Sequence, residues 1–196
     1  MLNKTQYFIR EHVGLLKLHD TYDIIDPVSN QTIGLAEEEP GWLVQLLRLG
    51  ADKRALPTKV FVYEIKPGQD EAECVFSIHR GFTLLRARIS VRDGDGREIG
   101  WLRRKLLTLG ESFDVFNAQG EQVARVKGDF LGWNFHFLDA NEREIGTITK
   151  KWAGLGKELF TSADNYMIAL NGQHAPDNAR LLLAAGLAID IVFKER

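Results

Sequence analysis

The sequence predicts a mainly β fold, a closed antiparallel β-barrel wrapped around a buried, hydrophobic C-terminal helix. Three observations lead there. A hairpin pattern recurs along the chain: an apolar run, an Asp or Asn, a short turn, then an apolar residue followed by Gly or Ala. The segment Arg180 to Phe193 is apolar on every side, so as a helix it must be surrounded by protein or by lipid. From Leu181 to Phe193 it has 13 residues, interrupted only by Asp190, and spans roughly 20 Å against a hydrocarbon core of roughly 30 Å. Length disfavours lipid, so the strands are left to form the sleeve, and closing them removes the sheet edges as well.

The first hairpin runs from Tyr22 to Asp26 and returns at Ile33-Gly34, with one extra turn residue. Ile89 to Asp93 turns through Gly94-Asp95-Gly96 and returns at Ile99-Gly100. Phe113 to Asn117 turns at Gln119-Gly120 and returns at Val123-Ala124, and Phe135 to Asp139 turns at Asn141-Glu142 and returns at Ile145-Gly146. The residues that open these three turns, at 93, 117 and 139, lie 24 and 22 apart. Alternation with period 2, broken by Gly, Asn and Asp, marks hairpins, and their regular spacing points to a barrel or sandwich rather than βαβ units. His136 alternates with Phe135 and Phe137 and is expected on the opposite face of its strand.

Two stretches depart from the strand pattern. Pro40 to Leu49 starts with Pro and is followed by Gly50, predicting a short helix near 40–49. Its Trp42, Leu43, Leu46 and Leu47 share one apolar face, which either packs on the barrel wall or serves as a protein-interaction or membrane face. The central helix is expected near 178–193, capped by Asp177 or Asn178. Ala184, Ala185, Gly186 and Ala188 keep it thin where the wall approaches, and Asp190 is placed at a barrel mouth where water or a basic group satisfies it. The whole chain, 1–196, reads as a single domain.

Composition narrows the function classes. Hydrophobic residues make up 44% and charged residues 27%, with a net charge of -2, which suits a globular core and argues against a dedicated nucleic-acid binder. Only residues 80–160 lean basic, with 14 Lys+Arg against 11 Asp+Glu. The single cysteine, Cys74, allows neither an internal disulfide nor a Cys-based zinc site and reads as a half-buried strand residue. Met1 to Gly14 lacks a long apolar stretch and does not read as a signal peptide. A reducing, cytoplasmic setting follows, with peripheral membrane contact left open.

Catalytic signatures are missing from the sequence. The histidines are scattered, and no serine sits in a GxSxG elbow. Gly154-Leu155-Gly156-Lys157 has Lys151 where the first phosphate-loop glycine belongs. Asp93-Gly94-Asp95-Gly96 would be spoiled as a calcium loop by Arg97 and Arg104 and reads as a turn. No catalytic residue, metal site or cofactor is expected, and the chain reads as a non-enzyme.

Phe130-Leu131-Gly132-Trp133-Asn134-Phe135 and Gly146 to Gly154 resemble the phospholipid scramblase family, as do Lys157 to Tyr166 and Ala188 to Phe193. Tyr22 to Asp26 with Ile33 to Glu38 is similar to that family's first hairpin, and residues 40–80 are the weakest part of the match. The resemblance implies the tubby-like fold, a barrel of roughly twelve strands around a C-terminal helix, and an association with membrane phospholipid and its calcium-dependent movement between leaflets. The family's calcium segment falls on Ser162 to Gln173, where Asp164 is kept but Met167 replaces the turn glycine and Gln173 the last carboxylate. One carboxylate is too few for a cation that takes six to eight oxygens, so no calcium site is expected. The cysteine-rich stretch and proline-rich tail of the animal members are also missing.

The resulting expectation is a membrane-lipid or anionic-ligand binding module, with Arg103, Arg104, Lys105, Lys150, Lys151 and Lys157 as candidate head-group contacts. Solvated strand ends are the plain alternative for these cations. A structural or protein-interaction domain without a lipid role is the competing function. Nucleic-acid binding through the basic middle region is the weakest of the three.

Overall fold

The computed structural model describes residues 1–12, 20–39, 56–66, 68, 71–81, 88–104, 111–129, 133–150 and 165–190. Twelve strands appear in chain order: β1 (Gln6–Glu11), β2 (Thr21–Asp26), β3 (Gln31–Glu38), β4 (Thr58–Glu64), β5 (Glu73–Arg80), β6 (Arg88–Asp93), β7 (Glu98–Arg104), β8 (Glu111–Asn117), β9 (Gln122–Asp129), β10 (Asn134–Leu138), β11 (Glu144–Thr149) and β12 (Tyr166–Leu170). A single described helix, α1 (Pro176–Ala188), follows. Each strand pairs antiparallel with its sequence neighbours, and β1 pairs with β12 to close the barrel. No sheet edge is left open among them.

The recurring sequence pattern has a physical cause. In four hairpins the apolar residue before the Gly or Ala is the extra residue of a β-bulge: Ile33, Ile99, Val123 and Ile145 are skipped in the pairing. Val75 of β5 is skipped in the same way. A bulge bends its strand and sharpens its twist, which is what closing a small barrel demands. The residue after the bulge then faces a crowded interior. A Cβ on Gly100 would sit 2.1 Å from the Phe116 carbonyl oxygen, and one on Gly146 2.6 Å from that of Ala169, so glycine is the residue that fits.

The turns are copies of one another. The side chains of Asp93, Asn117 and Asp139 each accept the backbone N–H four residues on, from Arg97 (2.9 Å), Glu121 (2.9 Å) and Arg143 (3.0 Å). Gly96 and Gly120 take the left-handed conformation the turn needs (φ 84° in both), and Glu142 takes it at φ 58°. The turn carboxylates are held in their charged form. At Asp139 the Arg143 backbone N–H is the main cause, against some desolvation, and the pKa lies below the ordinary carboxylate value.

Helix α1 fills the barrel. Leu181 to Ala185 and Leu187 to Ile189 are fully buried, as an all-round apolar helix requires. It begins two residues earlier than expected, and neither Asp177 nor Asn178 caps it. Ala175 is the N-cap and makes no side-chain cap bond. Pro176 starts the first turn, where its fixed φ suits the helix and its missing N–H costs nothing, while Asp177 sits in that turn, bonded to Arg180 at 2.9 Å. Arg180 also donates to the carbonyl of the bulged Val75 (3.2 Å), tying the helix start to β5. Ile189 keeps helical angles (φ -58°, ψ -46°). The expected continuation to 193, like the expected helix near 40–49, lies outside the described residues.

The two barrel ends differ. The β2–β3, β6–β7, β8–β9 and β10–β11 turns share one end, the turn end, with the start of α1. At the opposite end, the far end, lie Glu11, Thr21, Arg80, Arg88, Arg104, Glu111, Asp129, Thr149 and Tyr166. Asp190 reaches this mouth, 3% exposed. Its charge, after burial, is among the causes that hold the phenols of Tyr22 and Tyr166 protonated far above their usual range. Among the described residues no helix is long and apolar enough to cross a membrane.

Candidate functional site

The outward positions of β4 to β9 form a band of cations and aromatic rings. Inward positions hold the core (Val60, Ile78, Ile89, Val91, Leu102, Val115), and period-2 alternation turns their neighbours outward. Register then makes rows of them. Lys59, His79, Ser90, Trp101 and Phe116 are successive cross-strand partners from β4 to β8. Arg88, Arg103, Asp114 and Arg125 form the next row toward the far end.

Within the band, Trp101 and Phe116 stack at 5.4 Å and 19°. The Arg88 guanidinium lies 4.4 Å over Trp101, and that of Arg103 lies 4.8 Å over Phe116. Arg88 and Arg103 stand directly opposite one another, a pairing that like charges normally disfavour. It is relieved by the aromatic faces, by the 2.5 Å contact of Arg88 with Glu98 and by Asp114, 3.9 Å from Arg103. Asp114 is bonded more closely to Arg125, at 2.9 Å. Further round the wall, Lys127 pairs with Glu142 (2.6 Å) and His136 with Glu144 (2.6 Å). His136 does face away from the buried Phe135 and Phe137. Such an ion-paired outer face is matched to water rather than to hydrocarbon.

Of the residues singled out from the sequence, Arg103 and Arg104 end β7 side by side, both exposed. Lys150 follows the last residue of β11 at the same barrel end, four strands further round. The structure therefore gathers these three on one rim, not in one pocket. Lys150 Nζ sits 4.2 Å over the ring of Trp133, which packs on Tyr166 (5.2 Å) and Phe135 (6.0 Å). Lys105, Lys151 and Lys157, and the apolar face of Trp42, Leu43, Leu46 and Leu47, lie outside the described residues.

Sequence reasoning missed Lys59, His79, Arg88 and Arg92. Each is an isolated charge in a strand rather than part of a basic run, and only alternation marks it as outward-facing. Burial first, then the charges of Arg92 and Lys59, lower the His79 pKa below its ordinary value, so a positive field already acts on this part of the wall.

At the turn end, Glu73 bonds Lys66 (2.7 Å) and Asp93 bonds Arg97 (2.9 Å). Among the described residues no three His, Cys, Asp or Glu side chains group so that they could hold a metal ion. Of the stretch aligned with the family's calcium segment, Tyr166 to Leu170 is strand β12, with Tyr166, Met167 and Ile168 fully buried. Cys74 is half-buried, its thiol 3.8 Å from the Phe76 carbonyl oxygen.

These features define a class, an antiparallel barrel closed on its own C-terminal helix, with a cation-bearing wall and rim. The Scramblase family model matches residues 53–196, and the chain belongs to that family. It is 23% identical over 136 residues to a phospholipid scramblase family protein of Schizosaccharomyces pombe, covering 63% of this chain and 36% of that protein. It is 28% identical over 78 residues to the altered inheritance rate of mitochondria protein 25 of Saccharomyces cerevisiae, covering 40% of this chain and 23% of that one. It is 25% identical over 115 residues to human phospholipid scramblase 2, covering 55% and 39%. The chain thus spans well under half the length of these relatives. No solved structure matches it significantly.

Proposed function

We propose that the chain is a non-enzymatic lipid-binding module that docks the far end of its barrel on an anionic phospholipid surface, as a peripheral protein on the cytoplasmic side. The observation that carries this reading is the gathering of Arg103, Arg104 and Lys150 on one rim. The sequence continues from those strand ends into Lys105-Leu106-Leu107 and Lys151-Trp152. By contrast, the turn-end connections read Gly94-Asp95-Gly96-Arg97, Ala118-Gln119-Gly120-Glu121 and Ala140-Asn141-Glu142-Arg143. Cations beside large apolar residues suit an interface of anionic head groups and acyl chains, whereas the turn end suits water. Each Lys or Arg near such a surface contributes about 1 kcal/mol, so Arg103, Arg104 and Lys150 together give weak, reversible docking. The names of two relatives speak of phospholipid, which agrees with this substrate class. Scrambling itself forms no part of the proposal.

Flotation of the purified protein with vesicles tests it. Wild-type protein is expected to float with phosphatidylserine-containing vesicles and not with pure phosphatidylcholine, and Arg103→Glu with Arg104→Glu should abolish flotation. Equal absence from both float fractions would remove the lipid role and leave the protein-interaction reading.

A further inference from the structure

We infer that Trp133 is the apolar anchor of the docking end: Lys150 holds its ring folded at the barrel mouth, and an anionic surface that draws Lys150 away lets the ring swing out into the lipid interface. This role rests on the docking proposal and gives it a moving part.

Backbone geometry singles Trp133 out. Among the described residues only Asn30 (φ 55°), Trp133 (φ 46°) and Glu142 (φ 58°) take the left-handed conformation without being glycine. Asn30 and Glu142 do so inside hairpin turns, closed by bonds back to the carbonyls of Asp26 (2.8 Å) and Asp139 (3.1 Å), and both are exposed polar residues. Tryptophan in this conformation is an outlier, because its Cβ crowds the following carbonyl oxygen. Strain of this kind persists only where neighbouring contacts hold it, and it favours movement once they are withdrawn.

Lys150 supplies two of those contacts. Trp133 immediately precedes β10 at the far end, and Lys150 immediately follows β11. The Lys150 backbone N–H donates to the Trp133 carbonyl (3.3 Å), and Lys150 Nζ lies 4.2 Å over the indole ring. The ring itself packs inward on Tyr166 and Phe135 and is 8% exposed. The hydroxyl of Tyr166 has no hydrogen-bond partner among the described residues, so water admitted when the ring leaves breaks no bond of that phenol.

An anionic surface competes for the same ammonium. A cation over an aromatic face is held less strongly than one bonded to a phosphate or carboxylate oxygen, so docking of the rim strips Lys150 from the ring. The freed indole then suits the boundary of head groups and acyl chains, where tryptophan's flat, amphipathic ring settles. Trp101 differs on each count. It lies within strand β7, stacked on Phe116 under the Arg88 guanidinium, on the side wall rather than at the mouth.

The test follows Trp133 emission in the full chain with Trp42, Trp101 and Trp152 changed to Phe. Should that variant fail to fold, the difference between wild type and Trp133→Phe gives the same signal. In solution, acrylamide is expected to quench Trp133 about threefold more readily when Lys150→Gln is added, through loss of the cation over the ring. Vesicles of phosphatidylserine brominated near the top of the acyl chains are expected to quench Trp133, and brominated phosphatidylcholine alone to leave it unchanged. Flotation is read on the same samples. Protein that floats with Trp133 unquenched by bromine overturns the anchor and leaves the docking proposal standing. Acrylamide quenching unaffected by Lys150→Gln overturns the hold of Lys150 on the ring, whatever the vesicles show. Protein that does not float strikes the docking proposal and the anchor with it.

Discussion

Gly186 offers a direct measure of how tightly the barrel grips its helix. A Cβ at this position would lie 2.4 Å from Ile168 Cδ1 and 3.0 Å from its Cγ1, about 1 Å inside the optimal carbon–carbon separation. Ile168 is fully buried and held between β1 and β11 by Tyr7 and Ile148, so it cannot swing into solvent. Gly186→Ala should gain about 1 kcal/mol of helix propensity and lose about 1–3 kcal/mol to overpacking, a net destabilisation of about 1 kcal/mol. Ile168→Val removes the clashing methyl and alone should cost about 1 kcal/mol. Together the two changes are expected to be less harmful than their sum by about 1 kcal/mol, because the alanine methyl occupies the space vacated by Cδ1. Urea denaturation of the four proteins, with unchanged m-values, measures this coupling. Additivity within about 0.5 kcal/mol, or a Gly186→Ala protein stabilised by its full propensity gain, would refute the close approach of helix and wall.

Two further outcomes follow from buried and turn groups. Tyr166 is fully buried, and its hydroxyl has no hydrogen-bond partner among the described residues. Tyr166→Phe should therefore leave stability unchanged or raise it by about 1 kcal/mol, and a loss of that size in a thermal melt would show a missing partner. The lowered pKa of Asp139 contributes stability above the unfolded carboxylate value of about 3.9, and that contribution disappears as pH falls through the lower folded value. Asp139→Asn keeps a turn acceptor, as Asn117 does, but cannot titrate. The stability difference between wild type and variant, followed by urea midpoints, should shrink toward zero on acidification below pH 4; a difference constant from pH 7 to pH 2 would contradict it.

The same positions show what was legible in the linear chain. Asp93, Asn117 and Asp139 announced their turns because an Asx side chain and a left-handed third residue are local chemistry, complete within five residues. The buried helix was equally plain, since a rod apolar on all sides and too short for a bilayer has to be enclosed by its own strands. Its first residue was misplaced because Pro176 and Asp177 both carry N-terminal signals, and the tie from Arg180 to Val75 that anchors the start joins residues 105 apart.

Sequence alone thus determined the class of fold, four of its hairpins and the outward placing of His136. The Ile-Gly and Val-Ala pairs acquired a meaning as bulges only once pairing was known, because a bulge is a property of two strands. Likewise, Lys59, His79, Ser90 and Arg88 are scattered across 32 positions of the chain, and nothing local says that they are neighbours. Register across β4, β5 and β6 brings them together, since a shift of one residue would turn each outward side chain into the core.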